Sequence, residues 1–326
     1  MFRIRPFLSS LLQRVHQRIA GSPQVSPIEL LAQAPPAIAE ELRGREVIGL
    51  PPSPPPKQHW MYQLDQHLLL HVYGGAGGRI RRSLPDREAL QRDVTLPGLP
   101  LQRLTVDQGD RLWLVEDRLT GIAPAPVEVE RWFPEASAWL VQLAGPPGPP
   151  LRTTPFWQAH QPESIETTPP KLRPAVVRAW DIMGDVAARS LHGDVQPRNL
   201  VLGSHGVGLI DWEGFWRYGI PGLDLVFLAL MSTTKVPDQS ALESLASGKE
   251  PPGRPLRSAL SKVGLTPGTL HAGLLAMLAI WALGEARRTA RNRRPSRRMP
   301  FLTMLSNIGP AFSRGAGLVA DEKGRA

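Results

Sequence analysis

One ordered set of residues narrows what this chain can fold into more than anything else in it. In "LHGDVQPRNLVLGSHGVGLIDWEGFWRYGIPGLDLVFLAL", His192, Gly193 and Asp194 are followed on the same loop by Asn199, then by two short apolar runs, then by Asp211 in "IDWE". The runs "NLVLG" and "VGLIDW" have the length and apolar content of two strands of a hairpin. A carboxylate, an amide and a second carboxylate in that order are what metal-assisted phosphoryl transfer needs. One carboxylate serves the acceptor hydroxyl; the amide and the other carboxylate serve Mg2+. Taken singly, His192, Asp194 and Asn199 are as well explained by satisfying backbone groups in a turn. It is the complete set, in sequence order, that points to chemistry.

The surroundings of this segment define the fold class. Residues 45–122 alternate short β-like runs with turns ("REVIGL", "WMYQL", "HLLLHVY", "LQRLTV", "RLWLVE") and carry one helical interruption, "PDREALQRDV". After "DRLTG" the pattern turns helical: "VEVERWFPEASAWLVQL", then "RPAVVRAWDIMGDVAARS", then most of the chain beyond Asp224. The expected architecture is α+β and two-lobed, with a small β-rich N-terminal lobe over 45–122 and a larger helical lobe over 123–310. A basic helical extension over 1–44 precedes them, and a disordered tail over 311–326 follows. A length of 326 residues suits two lobes better than one small core.

The motif "HGDVQPRN", the strand-borne Asp of "IDWE" and the G-x-P-x-x-D spacing of "GIPGLDL" together resemble the aminoglycoside phosphotransferase and choline kinase family. That family is the small-molecule branch of the protein-kinase-like fold. The resemblance covers about residues 45–290 and implies ATP or GTP and Mg2+ as cofactors, with a small-molecule hydroxyl as acceptor. By position, Asp194 resembles the catalytic carboxylate, while Asn199 and Asp211 resemble the metal ligands. His192 would brace the loop, and Asp224 would receive loop amides from below. "LWLVEDRLTG" looks like the family's hinge, where the main chain around Glu116, Asp117 and Arg118 takes the base. Glu88 falls where the family places a helix glutamate that pairs with a phosphate-binding lysine; a solvent-facing glutamate is the alternative.

The lysine itself is missing. With "LLLHVY" in register on the family's lysine strand, His71 occupies that position, and the N-terminal lobe's only lysine is Lys57. An imidazole, with a reference pKa of about 6.5, is a poor replacement for an ammonium on phosphates. Arg79, Arg81 or Arg82, just beyond the glycines of "GGAGG", or Lys57 could supply the charge instead. The glycines follow the strand and precede the helix of Glu88, so they give a strand-to-helix connection and not a phosphate cradle. A nucleotide-binding pseudokinase or regulatory module is the alternative that His71 keeps open.

Charge bears on the acceptor. The chain carries a net charge of +9 and contains no cysteine. Disulfides, thiolate metal sites and cysteine nucleophiles are therefore excluded, and a cytoplasmic setting suffices. The cationic "EARRTARNRRPSRRMP" would repel a polycationic aminoglycoside, which favours a neutral or anionic hydroxyl compound. These arginines (Arg287 to Arg298) and the acid-free "MFRIRPFLSSLLQRVHQRIAGS" could equally contact an anionic membrane peripherally. Binding of nucleic acid is the weaker alternative. Glu213 and Trp216 are candidate substrate contacts, Trp216 as part of an aromatic wall with Trp212 and Trp281. Tryptophans at these spacings can also be core. "HAGLLAMLAIWALGEA" is shorter than the ~20 residues of a membrane span and reads as a buried bundle helix.

Overall fold

The computed structural model describes residues 32–50, 59–75, 78–125, 128–232, 253–292, 301 and 303–307. The basic N-terminal segment, Lys57, residues 293–300 and the tail over 311–326 lie outside them. The chain divides into two compact units; among described residues the first takes 32–81 and 100–119, and the second takes 82–99 and those from 120 onward.

Every β-like run of the first unit is a strand. β1 (Val47–Gly49), β2 (His59–Leu64), β3 (Leu68–Gly74), β4 (Gln102–Asp107) and β5 (Arg111–Asp117) form an antiparallel sheet in the order β1-β2-β3-β5-β4. Because side chains alternate along a strand, Leu70 and Val72 face one way and His71 and Tyr73 the other. The first face is a core of Tyr62, Leu64, Leu70, Val72, Trp113 and Val115, closed by Ile38 and Leu42 of α1 (Pro36–Leu42). His71 therefore belongs to the opposite face, paired across the sheet with Met61 on β2 and Leu114 on β5.

Helix α2 (Gly78–Asp93) spans the division: its first turn counts with the sheet and the rest with the second unit. The sequence reading placed all of it in the N-terminal lobe. Side-chain contacts explain the difference. The Arg82 guanidinium lies 3.7 Å from the centre of the Trp216 ring. The Arg217 amide donates to Asp86, and its guanidinium pairs with Asp93. The segment that follows is held as well, with Trp139 Nε1 donating to the Pro97 carbonyl at 2.6 Å and the Leu209 amide donating to that of Gly98 at 3.3 Å.

The second unit is built from helices α3 (Val129–Ala144), α4 (Pro155–Thr167), α5 (Arg173–Gly184), α6 (Leu223–Met231), α7 (Gly253–Lys262) and α8 (Pro267–Asn292). Two small antiparallel pairs accompany them, β6 (Arg189–Leu191) with β9 (Trp216–Gly219) and β7 (Leu200–Gly203) with β8 (Gly206–Leu209). On α3 the spacing of Trp132, Phe133, Ala136, Trp139, Leu140 and Leu143 puts every one of them on a buried stripe. Helix α8 is longer than its apolar run suggested. By length and composition it could cross a membrane, yet 67% of that window is buried inside the protein, and it packs along α5 and α4. That is the bundle role its sequence implies.

Candidate active site

The loop of the sequence motif begins where β6 ends, and the fold fixes it from below. Asp224, in the first turn of α6, accepts the His192 amide on Oδ2 at 2.6 Å and the Gly193 amide on Oδ1 at 3.0 Å. Burial pushes its carboxyl up to about 7; the two amide donors pull it back down, and the charge of Asp194 adds to the upward push. Gly193 sits at φ +85°, and a Cβ there would meet the Gly214 carbonyl oxygen at 2.4 Å. A residue other than glycine would pay both left-handed strain and a backbone collision. Gly193→Ala is expected to lose about 2–4 kcal/mol of stability in chemical denaturation, since neither backbone has a flexible end that can give way.

His192 is wholly enclosed. Its Nε2 lies 3.0 Å from the Ile210 carbonyl and so carries the proton, which leaves Nδ1 to accept the Asp194 amide at 3.4 Å. Burial first, and the nearby Arg87 charge second, lower its pKa to about 4, against the opposing influence of Asp194 and the Ile210 bond. A neutral ring bonded at both nitrogens ties the loop to the Ile210 carbonyl and moves no proton near neutrality.

Asp194 is held from two sides. Gln196 Nε2 donates to Oδ1, and Asn199 Nδ2 lies 3.3 Å from Oδ2 and 2.9 Å from the Asp194 carbonyl oxygen. The two donors fix the orientation of the carboxylate. Sequence reasoning missed Gln196, whose only signal was its place between Asp194 and Asn199. The Asn199 carbonyl also accepts the Ile210 amide at 3.0 Å, so the strand end that carries Asp211 is tied to the loop.

Asp211 has φ 66° and ψ 58°, a left-handed conformation that Asp tolerates better than most residues, and its residue is exposed. With its nitrogen committed to Asp194, Asn199 has its amide oxygen to offer, and Asp211 adds a carboxylate. These are hard oxygens that suit Mg2+. Among the described residues no three His, Asp or Glu side chains gather into a metal site of protein ligands alone.

Other expected residues fall elsewhere. His71 is buried on β3, with Nδ1 3.0 Å from His59 Nε2 and Nε2 3.2 Å from Glu116 Oε1, the latter off the line of a good hydrogen bond. Its ring stacks with those of His59 and Tyr73. The carboxylate that meets His71 thus comes from β5, whereas Glu88 is exposed and counts with the second unit. Two main-chain donors of the expected hinge are already in use within the sheet. The Asp117 amide donates to the Leu101 carbonyl and the Arg118 amide to that of His67, both at sheet-bond distances. A base could take neither N–H without breaking a bond of the lobe, because β5 runs between two partner strands to its last residue.

The aromatic wall does not assemble. Trp216 is 7% exposed, with Arg82 on its face and Phe156 and His160 at its edges. Trp212 is buried against His192 and Phe215, and Trp281 packs with Phe227 and Phe301. Each is a core ring in its own place. Glu213, half-buried, follows Trp212 in the turn after Asp211. Of the distal arginines, Arg287 makes a two-pronged pair with Glu163 of α4. That spends its charge internally.

These features can now be set beside known proteins. The sequence profile of the phosphotransferase enzyme family matches residues 37–260, and the chain belongs to that family. Choline kinase LicA from Streptococcus pneumoniae is similar in structure, with TM-score 0.56 and 16% identity over 89% of this chain and 100% of that one. A putative fructosamine-3-kinase from Thermobifida fusca gives TM-score 0.52 and 18% identity over 85% of this chain and 98% of its own. The streptomycin–ATP ternary complex of APH(2")-IIa gives TM-score 0.52 and 13% identity, covering 85% and 96%. No curated protein matches the chain by sequence. At these identities the likeness establishes the fold, which is the kinase-like α+β architecture expected from the motif order.

Proposed function

We propose that this chain is an Mg2+-dependent kinase that moves the γ-phosphoryl group of ATP or GTP to a hydroxyl of a small molecule. The observation that carries this reading is the fixed geometry of Asp194, bounded by Gln196 and Asn199 on a loop whose amides Asp224 holds. In phosphoryl transfer the protein's work is mainly positioning and charge stabilisation. Asp194 would orient the acceptor hydroxyl and take its proton late. Asn199 and Asp211 would hold Mg2+, which when bound offsets charge on the phosphates. His192 and Asp224 would keep the loop in shape.

The structural neighbours include a choline kinase, a putative fructosamine-3-kinase and APH(2")-IIa in complex with streptomycin and ATP, so fold alone does not choose the acceptor. Support for a neutral or anionic acceptor comes from the net charge of +9. The test is a nucleotide-consumption screen with ATP and GTP against amino alcohols, sugars, nucleosides and aminoglycosides. Acceptor-dependent consumption is the expected result, with aminoglycosides among the poorest acceptors.

A second reading, nucleotide binding without transfer, is favoured by one observation: the position of the family's lysine holds His71, buried in the sheet with Nδ1 against His59 and Nε2 near Glu116 but not hydrogen-bonded. Tight binding of Mg–ATP together with silence across the whole panel would select it.

A further inference from the structure

Asp194 has two carboxylate oxygens, and only one of them can take the proton of a given acceptor hydroxyl. The torsion that turns a carboxylate about its own axis is broad and close to two-fold, so the side chain by itself does not choose between them. A choice needs a partner that holds one oxygen and leaves the other. The loop supplies that partner two residues further on.

Val195 is fully buried, whereas Asp194 and Gln196 on either side of it are half-exposed. Val195 in the core thus leaves both polar side chains outside it. Pro197 restricts the residue before it to extended backbone, and Gln196 has φ −124° and ψ 155°. Its carbonyl accepts the Asn199 amide at 2.8 Å and closes the tight turn Pro197–Asn199. From this fixed main chain the Gln196 side chain makes a single hydrogen bond among the described residues, to Asp194 Oδ1. A carboxylate only accepts, so the amide nitrogen is the atom that faces it.

The contact at the other oxygen is of a different kind. Asn199 Nδ2 lies 2.9 Å from the Asp194 carbonyl oxygen and 3.3 Å from Oδ2. Oδ1 therefore has a donor of its own, while Oδ2 has the longer contact of a group that already serves the main chain.

Resting on the phosphotransferase reading above, we propose that Gln196 is a positioning residue: by donating to Oδ1 it fixes the plane of the Asp194 carboxylate and leaves Oδ2 to orient the acceptor hydroxyl and take its proton. That proton passes to Oδ2 as the hydroxyl oxygen bonds to the γ-phosphorus and the bond from that phosphorus to the leaving nucleoside diphosphate breaks. Gln196 itself gains and loses no proton.

The experiment is steady-state kinetics, with the best acceptor of the nucleotide-consumption screen, on the wild-type chain, Gln196→Leu, Gln196→Glu and Gln196→His, with the thermal midpoint of each. Gln196→Leu removes the donor and is expected to lower kcat about 10–100-fold, the cost of a reacting group displaced by about 1 Å, with both KM values and the midpoint little changed. Gln196→Glu keeps the shape but sets an acceptor against Oδ1, and its kcat is expected to fall at least as far. Gln196→His, assayed at pH 8 where an imidazole is neutral, restores an N–H and is expected to recover most of the lost kcat. A loss carried by the acceptor KM with kcat intact would mean a substrate contact and overturn the proposal. So would equal kcat values in the Leu and His variants, which would mean that shape matters and the donor does not. Should Gln196→Leu fail to fold, Gln196→Glu decides: turnover in it at the wild-type kcat overturns the proposal. A wild-type chain silent with every acceptor sinks the phosphotransferase reading and this one together. Wild-type turnover that Gln196→Leu matches sinks this one alone.

Discussion

Asp194→Asn is expected to fold as the wild type does and to transfer phosphate about 10²–10⁴-fold more slowly, the usual cost of losing a positioned base. The folding half of the expectation follows from where the side chain sits. It is part-exposed on the loop surface, and its neighbours Gln196 and Asn199 are part of the same loop, so no core packing depends on it. The activity half follows from chemistry. An amide cannot accept the hydroxyl proton, and it presents an N–H2 group to a position where both neighbours already donate. The measurements are the rate with the best acceptor from the screen and the thermal midpoint of unfolding. A midpoint within a degree or two with the rate collapsed is the expected pair, and an undiminished rate would end the assignment of Asp194.

The parts of this site legible in the sequence are those whose geometry is local. Asp194, Gln196 and Asn199 lie within six residues, and the hairpin that follows has a register set by its own apolar residues, Leu200 opposite Leu209 and Val201 opposite Gly208. The strands of the first sheet were legible for the same reason, through alternation and turn residues. What the sequence concealed depends on contacts distant along the chain. Which unit helix α2 joins is decided by Arg82, Asp86 and Asp93 meeting Trp216 and Arg217, more than 120 residues apart in all three cases. That Glu116 of β5 would meet His71 was not legible, because only the sheet brings β3 and β5 side by side. Trp216 gave no sign that its face is covered, since the cation on it comes from the helix.

Asp224 joins the site to the stability of the fold, and its pH dependence runs opposite to that of an ordinary ion-paired carboxylate. The folded state raises its pKa from 3.8 to about 7. Below pH 4 the group is protonated in both the folded and unfolded states, and its contribution is fully present. Between those two values the folded state holds a proton that the unfolded chain has released, so stability falls as pH rises and the contribution is lost above about 7. Asp224→Asn cannot titrate. It keeps one oxygen for the His192 or Gly193 amide and turns an N–H2 group toward the other, leaving one buried donor badly met, at a cost of about 1–3 kcal/mol. Over pH 5 to 8 the advantage of wild type over Asp224→Asn is therefore expected to be largest at pH 5 and to shrink by about 2–3 kcal/mol by pH 8, enough to close or reverse it, because the wild type there holds a buried charge. His192 titrates in part of this range, but it is present in both proteins and drops out of the difference. Denaturant titrations of the two proteins from pH 5 to pH 8 check the slope. A gap that widens with pH would mean that the two amide donors, and not burial, govern the carboxyl, and that Asp224 holds the loop as a full-time anion.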